Sequence, residues 1–299
     1  MAIHLRAPGS ASNLGPGFDC LGLALTIYNR ITVREVSGSG VNITITGEGA
    51  GDLPEDDQNL FYSSAVAAAE MAGGSLPGLR VEMENRIPLV RGLGSSSTAI
   101  VAGISAANLL LGEPLGTSDL LNLATRLEGH PDNVSPCLLG GFTISALKDG
   151  SVEHIRALPS PELRAIVVVP HFEIRTEAAR KALPDSVPHR DAVFNVGHAS
   201  LVTAALIKAD FQILRTAMKD RLHQPYRAHL VPGIEQVLDA AESSGALGAC
   251  LSGAGPTLLA FTVDDGVNIK RAMLAAWKNV HIDANGYILQ VDRDGVTAE

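Results

Sequence analysis

The sequence predicts a two-lobed α+β protein. Three observations carry this. Strand-like runs come in clusters, with helices set between the clusters rather than after every strand, which disfavours a doubly wound sheet. A Pro159–Pro161 break divides the chain near its middle. The 299 residues suffice for one large or two modest domains, and 46% of them are hydrophobic, enough for a core in each. The expected division is 1–160 and 161–299.

The elements follow in order. Ile3 to Ala7 alternates weakly and reads as a strand, and Ser10 to Asp19, rich in Gly, Pro, Ser and Asn, as a loop. Leu21 to Ile27, Ile31 to Val36 and Val41 to Thr46 are β-branched or alternating, hence strands. Gly47 to Asp57 is an acidic, glycine-bearing loop. Asn59 to Met71 is alanine-rich with helical spacing and stops at Gly73-Gly74. Leu79 to Glu84 is a strand. Thr117 opens a helix that ends at Glu128-Gly129, with a hydroxyl at its start and an acid in its first turn. Phe142 to Leu147, Val152 to Ile155 and Arg164 to Val169 are strands. Beyond the break, Thr176 to Leu183, Asp191 to Lys208, Phe211 to Lys219, Ile234 to Glu242 and Val267 to Trp277 read as helices. Ala246 to Leu251, Thr257 to Val263 and Tyr287 to Val291 read as strands.

The balance of charge excludes some functions. A net charge of −9 and a pI near 5.5 argue against nucleic acid, which rewards a basic face. The three cysteines, Cys20, Cys137 and Cys250, are dispersed without metal spacing and read as reduced cytoplasmic thiols. The N-terminus lacks the basic start and apolar core of a signal peptide. The longest apolar run, Ala99 to Leu111, contains Ser105 and Asn108 and is too short to cross a bilayer, so no membrane partner is expected.

The most informative stretch is Arg86-Ile-Pro-Leu-Val-Arg-Gly-Leu-Gly-Ser-Ser-Ser-Thr-Ala99. It reads as a glycine loop feeding the first turn of a buried helix. Glycine lets backbone approach a bulky anion, and the helix start offers unpaired N–H groups at a positive dipole end. Together they make a phosphate seat. A P-loop would need a lysine beside the Ser/Thr, and the first lysine of the chain is Lys148. A Rossmann turn would need a third glycine and a preceding strand. A capped helix after a glycine turn fits the same residues equally well.

Pro88-Leu-Val-Arg-Gly-Leu-Gly-Ser-Ser-Ser-Thr98 resembles the phosphate-binding motif of the GHMP kinases, the family of galactokinase, homoserine kinase and mevalonate kinase. Pro8-Gly-Ser-Ala-Ser-Asn-Leu-Gly-Pro-Gly-Phe-Asp19 and Glu128-Gly-His-Pro-Asp-Asn133 resemble its homoserine kinase branch, and Gly248-Ala-Cys-Leu-Ser-Gly-Ala-Gly-Pro256 its C-terminal glycine motif. The matches stand in the family's order. The resemblance implies an N-terminal lobe with a left-handed β-α-β crossover, a ferredoxin-like C-terminal lobe and an active site between them. It implies ATP and Mg2+ as cofactors, L-homoserine as substrate, a role in threonine biosynthesis and a homodimer. A mevalonate-like or sugar kinase, or a silent ligand sensor on the same fold, are the alternatives.

For site residues the resemblance places ATP on Pro88, Leu89, Val90, Arg91, Gly92, Leu93, Gly94, Ser95, Ser96, Ser97 and Thr98. It supports Glu128 and Ser96 as metal ligands and catalytic groups, a hard-oxygen pair of the kind magnesium takes. It carries substrate contact to Asn13 and His130. A free amino acid has an ammonium and a carboxylate. Asp19 can take the first. Arg180 and Arg227, which match homoserine kinase positions, can fork onto the second. Arg175 and Arg190 are competing arginines. Without the motif, Glu128 would be a solvated helix-end acid, His130 a turn-stabilising group and each Arg a surface residue. The C-terminal glycines should pack on the phosphate loop. Asn59 at a helix start is explained by capping. No general base stands out, which favours catalysis by positioning, with the alcohol proton lost late.

Overall fold

The computed structural model describes residues 2–299. The first lobe is built on a mixed seven-stranded sheet of β1 (Ala2–Ser12), β2 (Leu21–Val36), β3 (Val41–Gly47), β4 (Gly78–Asn85), β5 (Phe142–Lys148), β6 (Ser151–Ala157) and a short last strand, β11 (Thr297–Ala298). Its spine runs β11-β1-β2-β4-β3, and β5 joins β2 to β6. β3 and β4 are parallel neighbours joined through α1 (Leu60–Met71), which is the β-α-β unit of the lobe. Helices α2 (Ser95–Leu110), α3 (Thr117–Glu128) and α4 (Pro131–Leu139) complete it. The inward side chains of β1, β2, β3 and β4, such as Ile31, Val33 and Val81, pack with Phe61 of α1 and Ile100 and Ile104 of α2 into one core.

The second lobe has a four-stranded antiparallel sheet in the order β10-β7-β9-β8, from β7 (Arg164–Pro170), β8 (Gly248–Leu251), β9 (Leu258–Thr262) and β10 (Ala284–Gln290). One face packs on α9 (Ile234–Ser243) and α10 (Val267–Asn279), with Trp277 fully buried at its centre. The other face shares a core with the first lobe. Val167, Leu259 and Phe261 meet Leu21, Leu23 and Phe142, together with Val202 and Leu206 of α6 (His189–Lys208). Short helices α5 (Thr176–Lys181), α7 (Leu214–Ala217) and α8 (Gln224–Arg227) fill the connections.

Three features depart from the sequence reading. The expected strands at Leu21–Ile27 and Ile31–Val36 are one 16-residue strand. Tyr28, Asn29 and Arg30 keep their places in the ladder, and a register shift follows them, Pro8 pairing with Tyr28 and Gly9 with Leu25. The turn expected at His130–Asn133 opens helix α4, with Pro131 in its first turn. The chain end returns to the first lobe. The Gly141 N–H donates to the Asp292 carbonyl at 2.7 Å, the Tyr28 hydroxyl to its carboxylate at 3.0 Å, and β11 pairs with β1. Burial, followed by the Asp292 charge, pushes the Tyr28 phenol up to about 12. The sheets change over between Ala157 and Arg164, and residues 291–299 sit with the first lobe, so residues 161–299 are not all in the second.

Helices α1 and α2 touch along Gly103, where a methyl group would collide with the Phe61 carbonyl oxygen. Alanine is intrinsically better in a helix by about 1 kcal/mol. Gly103→Ala should nonetheless lower stability by ~1–3 kcal/mol, the usual range for overpacking, as read from the urea unfolding midpoint.

Candidate active site

The cleft between the lobes encloses about 400 Å³. Its floor is the start of α2. The cap residue there is Gly94, left-handed at φ 69°, and no side chain caps the helix. A Cβ on Gly94 would run into the Ser10 hydroxyl, and one on Gly92 (φ 75°) into the Ser252 carbonyl oxygen. Gly94, Ser95 and Ser96 line the cleft, so the positive end of a 16-residue helix with uncapped first-turn N–H groups borders it. The loop is clamped from both lobes. Ser10 N–H donates to the Leu93 carbonyl at 3.0 Å, and the Ser252 hydroxyl to the Gly92 carbonyl at 2.6 Å. The C-terminal glycine segment does pack on this loop.

Not every residue of the motif faces the cleft. Leu89, Val90, Arg91, Gly92, Leu93, Gly94, Ser95 and Ser96 line it, whereas Pro88, Ser97 and Thr98 do not. Thr98 faces inward, accepting from Asn29 Nδ2 at 2.9 Å and donating to the Ser95 carbonyl at 2.7 Å. Arg91 donates to the Leu89 and Pro170 carbonyls and lies 3.5 Å from Glu173, so its guanidinium ties the loop to the second lobe.

Glu128 ends α3 just before the left-handed Gly129 (φ 92°) and accepts from the hydroxyls of Ser96 at 2.9 Å and Ser97 at 2.8 Å. Carboxylate and hydroxyl oxygens converging at a helix start are a donor set that suits magnesium. Both Glu128 and Ser96 line the cleft. A second group, Asp19, His130 and Asp132, has ligand atoms within 4.8 Å of one another. Its carboxylates are already engaged, Asp19 by Arg180 and Asp132 by His130, so it is read as a charged substrate pocket rather than a metal cage.

At that end Arg180 forks onto Asp19, with its two terminal nitrogens 3.0 and 2.9 Å from the two carboxylate oxygens. Arg227 is 2% exposed. Its donors go to the Ala179 and Gly253 carbonyls and to His223 Nδ1, and no ion pair among the described residues includes it. Burial lowers its pKa, and the neighbouring Arg180 adds to this. Phe18 lies beneath both guanidinium groups, 5.2 Å from that of Arg227 and 5.7 Å from that of Arg180. Asn13 donates to the Gly253 carbonyl at 3.0 Å and accepts from the Asp19 N–H at 3.0 Å. Asn13, Leu14, Asp19 and Val90 all have positive φ, at 67°, 46°, 55° and 55°, a concentration of backbone strain at one site. His130 holds Asp132 at 2.5 Å. Burial alone would lower the His130 pKa, but the Asp132 hydrogen bond and charge, with Glu128 and Asp19 behind them, raise it.

Thus Asn13, Asp19, Gly94, Ser96, Glu128, His130, Arg180 and Arg227 meet in one cleft. Arg175 and Arg190 are outside it. Asn59 caps α1, accepting from the Phe61 N–H at 2.9 Å. Sequence reasoning gave no role to Asn133, the last residue of the Glu128–Asn133 motif, which accepts from Ser10 and donates to Ser12. It also missed the apolar end of the cleft, formed by Leu53, Pro54, Leu60 and Met83. These residues are scattered and carry no motif.

Gly94→Ala should weaken binding of a fluorescent ATP analogue about tenfold or more, the equivalent of the ~1–2 kcal/mol that a side chain costs in left-handed backbone. Gly112→Ala, at φ 80° with open space around it, adds similar strain far from any collision. It should lower the melting temperature and leave the affinity for the analogue unchanged.

Comparison with known proteins agrees with this geometry. The profile described as GHMP kinases N terminal domain matches residues 59–141, and that described as GHMP kinases C terminal matches residues 202–279. The homoserine kinase of Synechococcus sp. is 42% identical over 100% of this chain and 98% of its own. That of Halothermothrix orenii is 40% identical over 98% of this chain and 94% of its own. The crystal structure of homoserine kinase from Cytophaga hutchinsonii superposes with a TM-score of 0.92 at 33% identity, covering 100% of this chain and 97% of that one. Mevalonate kinase from L. major, at 16% identity and a TM-score of 0.71, shares the fold. With both lobes matched and full-length relatives at this level of identity, the chain belongs to the GHMP kinase family.

Proposed function

We propose that this protein transfers the γ-phosphoryl group of ATP to the side-chain hydroxyl of L-homoserine, giving ADP and O-phospho-L-homoserine, a step of threonine biosynthesis. The observation that carries this reading is the pairing of a bare phosphate seat at Gly94 with a split-charge pocket beside it. Asp19 supplies an anion for an ammonium group. Arg180 and the ion-pair-free Arg227 supply forks for a carboxylate. A neutral sugar would leave Arg227 buried without a counter-charge. The full-length relatives named homoserine kinase support the same choice.

The roles follow from position. The apolar end at Leu53, Pro54 and Met83 takes the flat base, and the first turn of α2 takes the phosphates. A magnesium ion, held by Glu128 and Ser96, would neutralise charge on the phosphate oxygens. Asn13 braces the Asp19 backbone, and His130 lies beside the amino-acid end. Transfer then depends on in-line placement and on N–H groups that need no reorganisation. Asp132 is buried and held by His130, which favours loss of the alcohol proton late, to the phosphate.

An ADP-release assay with L-homoserine, mevalonate and galactose side by side tests the reading. Turnover is expected with L-homoserine alone. Activity on mevalonate without L-homoserine would remove it, and ligand binding without turnover would make the protein a sensor. Asp19→Asn and Arg180→Ala should each raise KM for L-homoserine about tenfold or more, with KM for ATP nearly constant. Asp132→Asn should lower kcat by less than about a hundredfold. A loss of about four orders of magnitude at unchanged substrate affinity would instead assign Asp132 as the base.

A further inference from the structure

His223 is fully buried and belongs to no motif noted above. Its Nε2 lies 2.7 Å from the Gly15 carbonyl oxygen. A carbonyl can only accept, so Nε2 carries the hydrogen. Burial lowers the pKa of the ring, ahead of the opposing pull of Asp220, so the ring is neutral and Nδ1 holds a lone pair. That lone pair accepts from Arg227 at 3.2 Å. Phe18 stacks on the same ring, with centroids 5.3 Å apart. The charged groups facing the ring are Asp220, Arg227 and Asp19.

The His223 backbone is fixed by Asp220, whose carboxylate accepts from the N–H groups of Leu222, His223 and Gln224 and from Asn195 Nδ2. Asn195 in turn donates to the Pro16 carbonyl. Asp220 Oδ2 stands 3.6 Å from Nε2, too far for a hydrogen bond. The imidazole therefore links two pieces of the site. One nitrogen holds the loop that carries Asn13 and Asp19. The other holds the guanidinium of Arg227.

We propose that His223 is a positioning residue that fixes the separation between the ammonium-binding and carboxylate-binding ends of the amino-acid pocket. This rests on the reading of the pocket given under Proposed function. It predicts that amino-acid binding is sensitive to each of the two nitrogens separately, while nucleotide binding, on the other side of Gly94, is not.

His223→Gln keeps a donor for Gly15 and loses the acceptor for Arg227. His223→Asn keeps the acceptor and loses the donor. His223→Leu keeps neither. The experiment measures kcat and KM for L-homoserine and ATP in the full-length protein and these variants. KM for L-homoserine should rise about tenfold in the Gln and Asn variants and about a hundredfold in the Leu variant, as for one and two lost hydrogen bonds to a charged or strained partner. KM for ATP should stay within about twofold and kcat within about threefold. Equal rises in both KM values, or none for L-homoserine, would overturn the proposal. Should the variants fail to fold, the imidazole 15N shifts of His223 in the unaltered protein decide. The neutral Nε2–H tautomer is expected, and an Nδ1–H tautomer or an imidazolium would overturn it. Unaltered protein that does not phosphorylate L-homoserine would refute the functional reading itself, a separate result from the pattern among variants.

Discussion

Two backbones have to touch at Gly92. The Ser252 hydroxyl donates to its carbonyl, and the Ser252 carbonyl occupies the space where a Cβ would sit. On the other side the Leu93 carbonyl accepts from Ser10, and the Ser12 carbonyl accepts from Gly253. The phosphate loop is thus gripped between the end of β1 and the turn joining β8 to β9. Its amides are aimed before any ligand arrives, so binding need not bear the entropy of ordering them. Everything else in the cleft takes its place relative to this contact. Gly253, which touches Gly92, also receives the hydrogen bonds of Asn13 and Arg227.

The chain is acidic overall, yet its cleft must hold a polyanion. It does so mostly with neutral donors, since backbone N–H groups at a helix start concentrate partial positive charge without a side chain. Of the arginines that line the cleft, Arg91 of the phosphate loop is engaged by Glu173 and two carbonyls, and Arg180 and Arg227 stand at the Asp19 end. Burying Arg227 without a carboxylate is costly, and its hydrogen bonds to two carbonyls and to His223 only reduce that cost. In the proposed reading an arriving carboxylate would lower it further. A buried cation that has only more distant carboxylates, at Asp19, Asp220 and Asp132, in that reading favours ligands that bring a matching anion into direct contact.

What could be read from the sequence was local. Asn59 caps a helix, Gly129 closes one and Gly94 opens another because each role is set by a residue and its immediate neighbours. Three of the motifs located Asp19, Ser96 and Glu128 in one cleft because each is tied to a short stretch of chain. What was missed was non-local. Asn29 looked like a break between strands. In the folded chain its side chain accepts from the N–H groups of Arg86 and Ile87 and donates to Thr98, so a polar residue inside β2 anchors the entry to the phosphate loop. Helix α4 starts where His130-Pro131 looks like loop, although proline in a first turn is also a helix-start signal. The return of residues 291–299 to the first lobe depends on Asp292 meeting Tyr28, 264 positions away, and no periodicity reports that.

The shared core limits how the cleft can adjust. Leu21, Leu23 and Phe142 of the first lobe are buried against Val167, Leu259 and Phe261 of the second, and the tail crosses back over the same boundary. Parting the lobes would expose these side chains at about 1.5–3 kcal/mol each. Helix α5 is held differently. Of its residues only Ala179 is buried, and its principal tie to the first lobe is the Arg180–Asp19 fork, whose members are 37% and 34% exposed. A half-buried bidentate fork of this kind is stronger than an ordinary surface pair. An ammonium can replace Arg180 on Asp19 and a carboxylate can replace Asp19 on Arg180, so the ligand exchanges one set of opposite charges for another. In the proposed reading, the pocket wall that meets the amino acid is thus held by charges that the amino acid itself can replace.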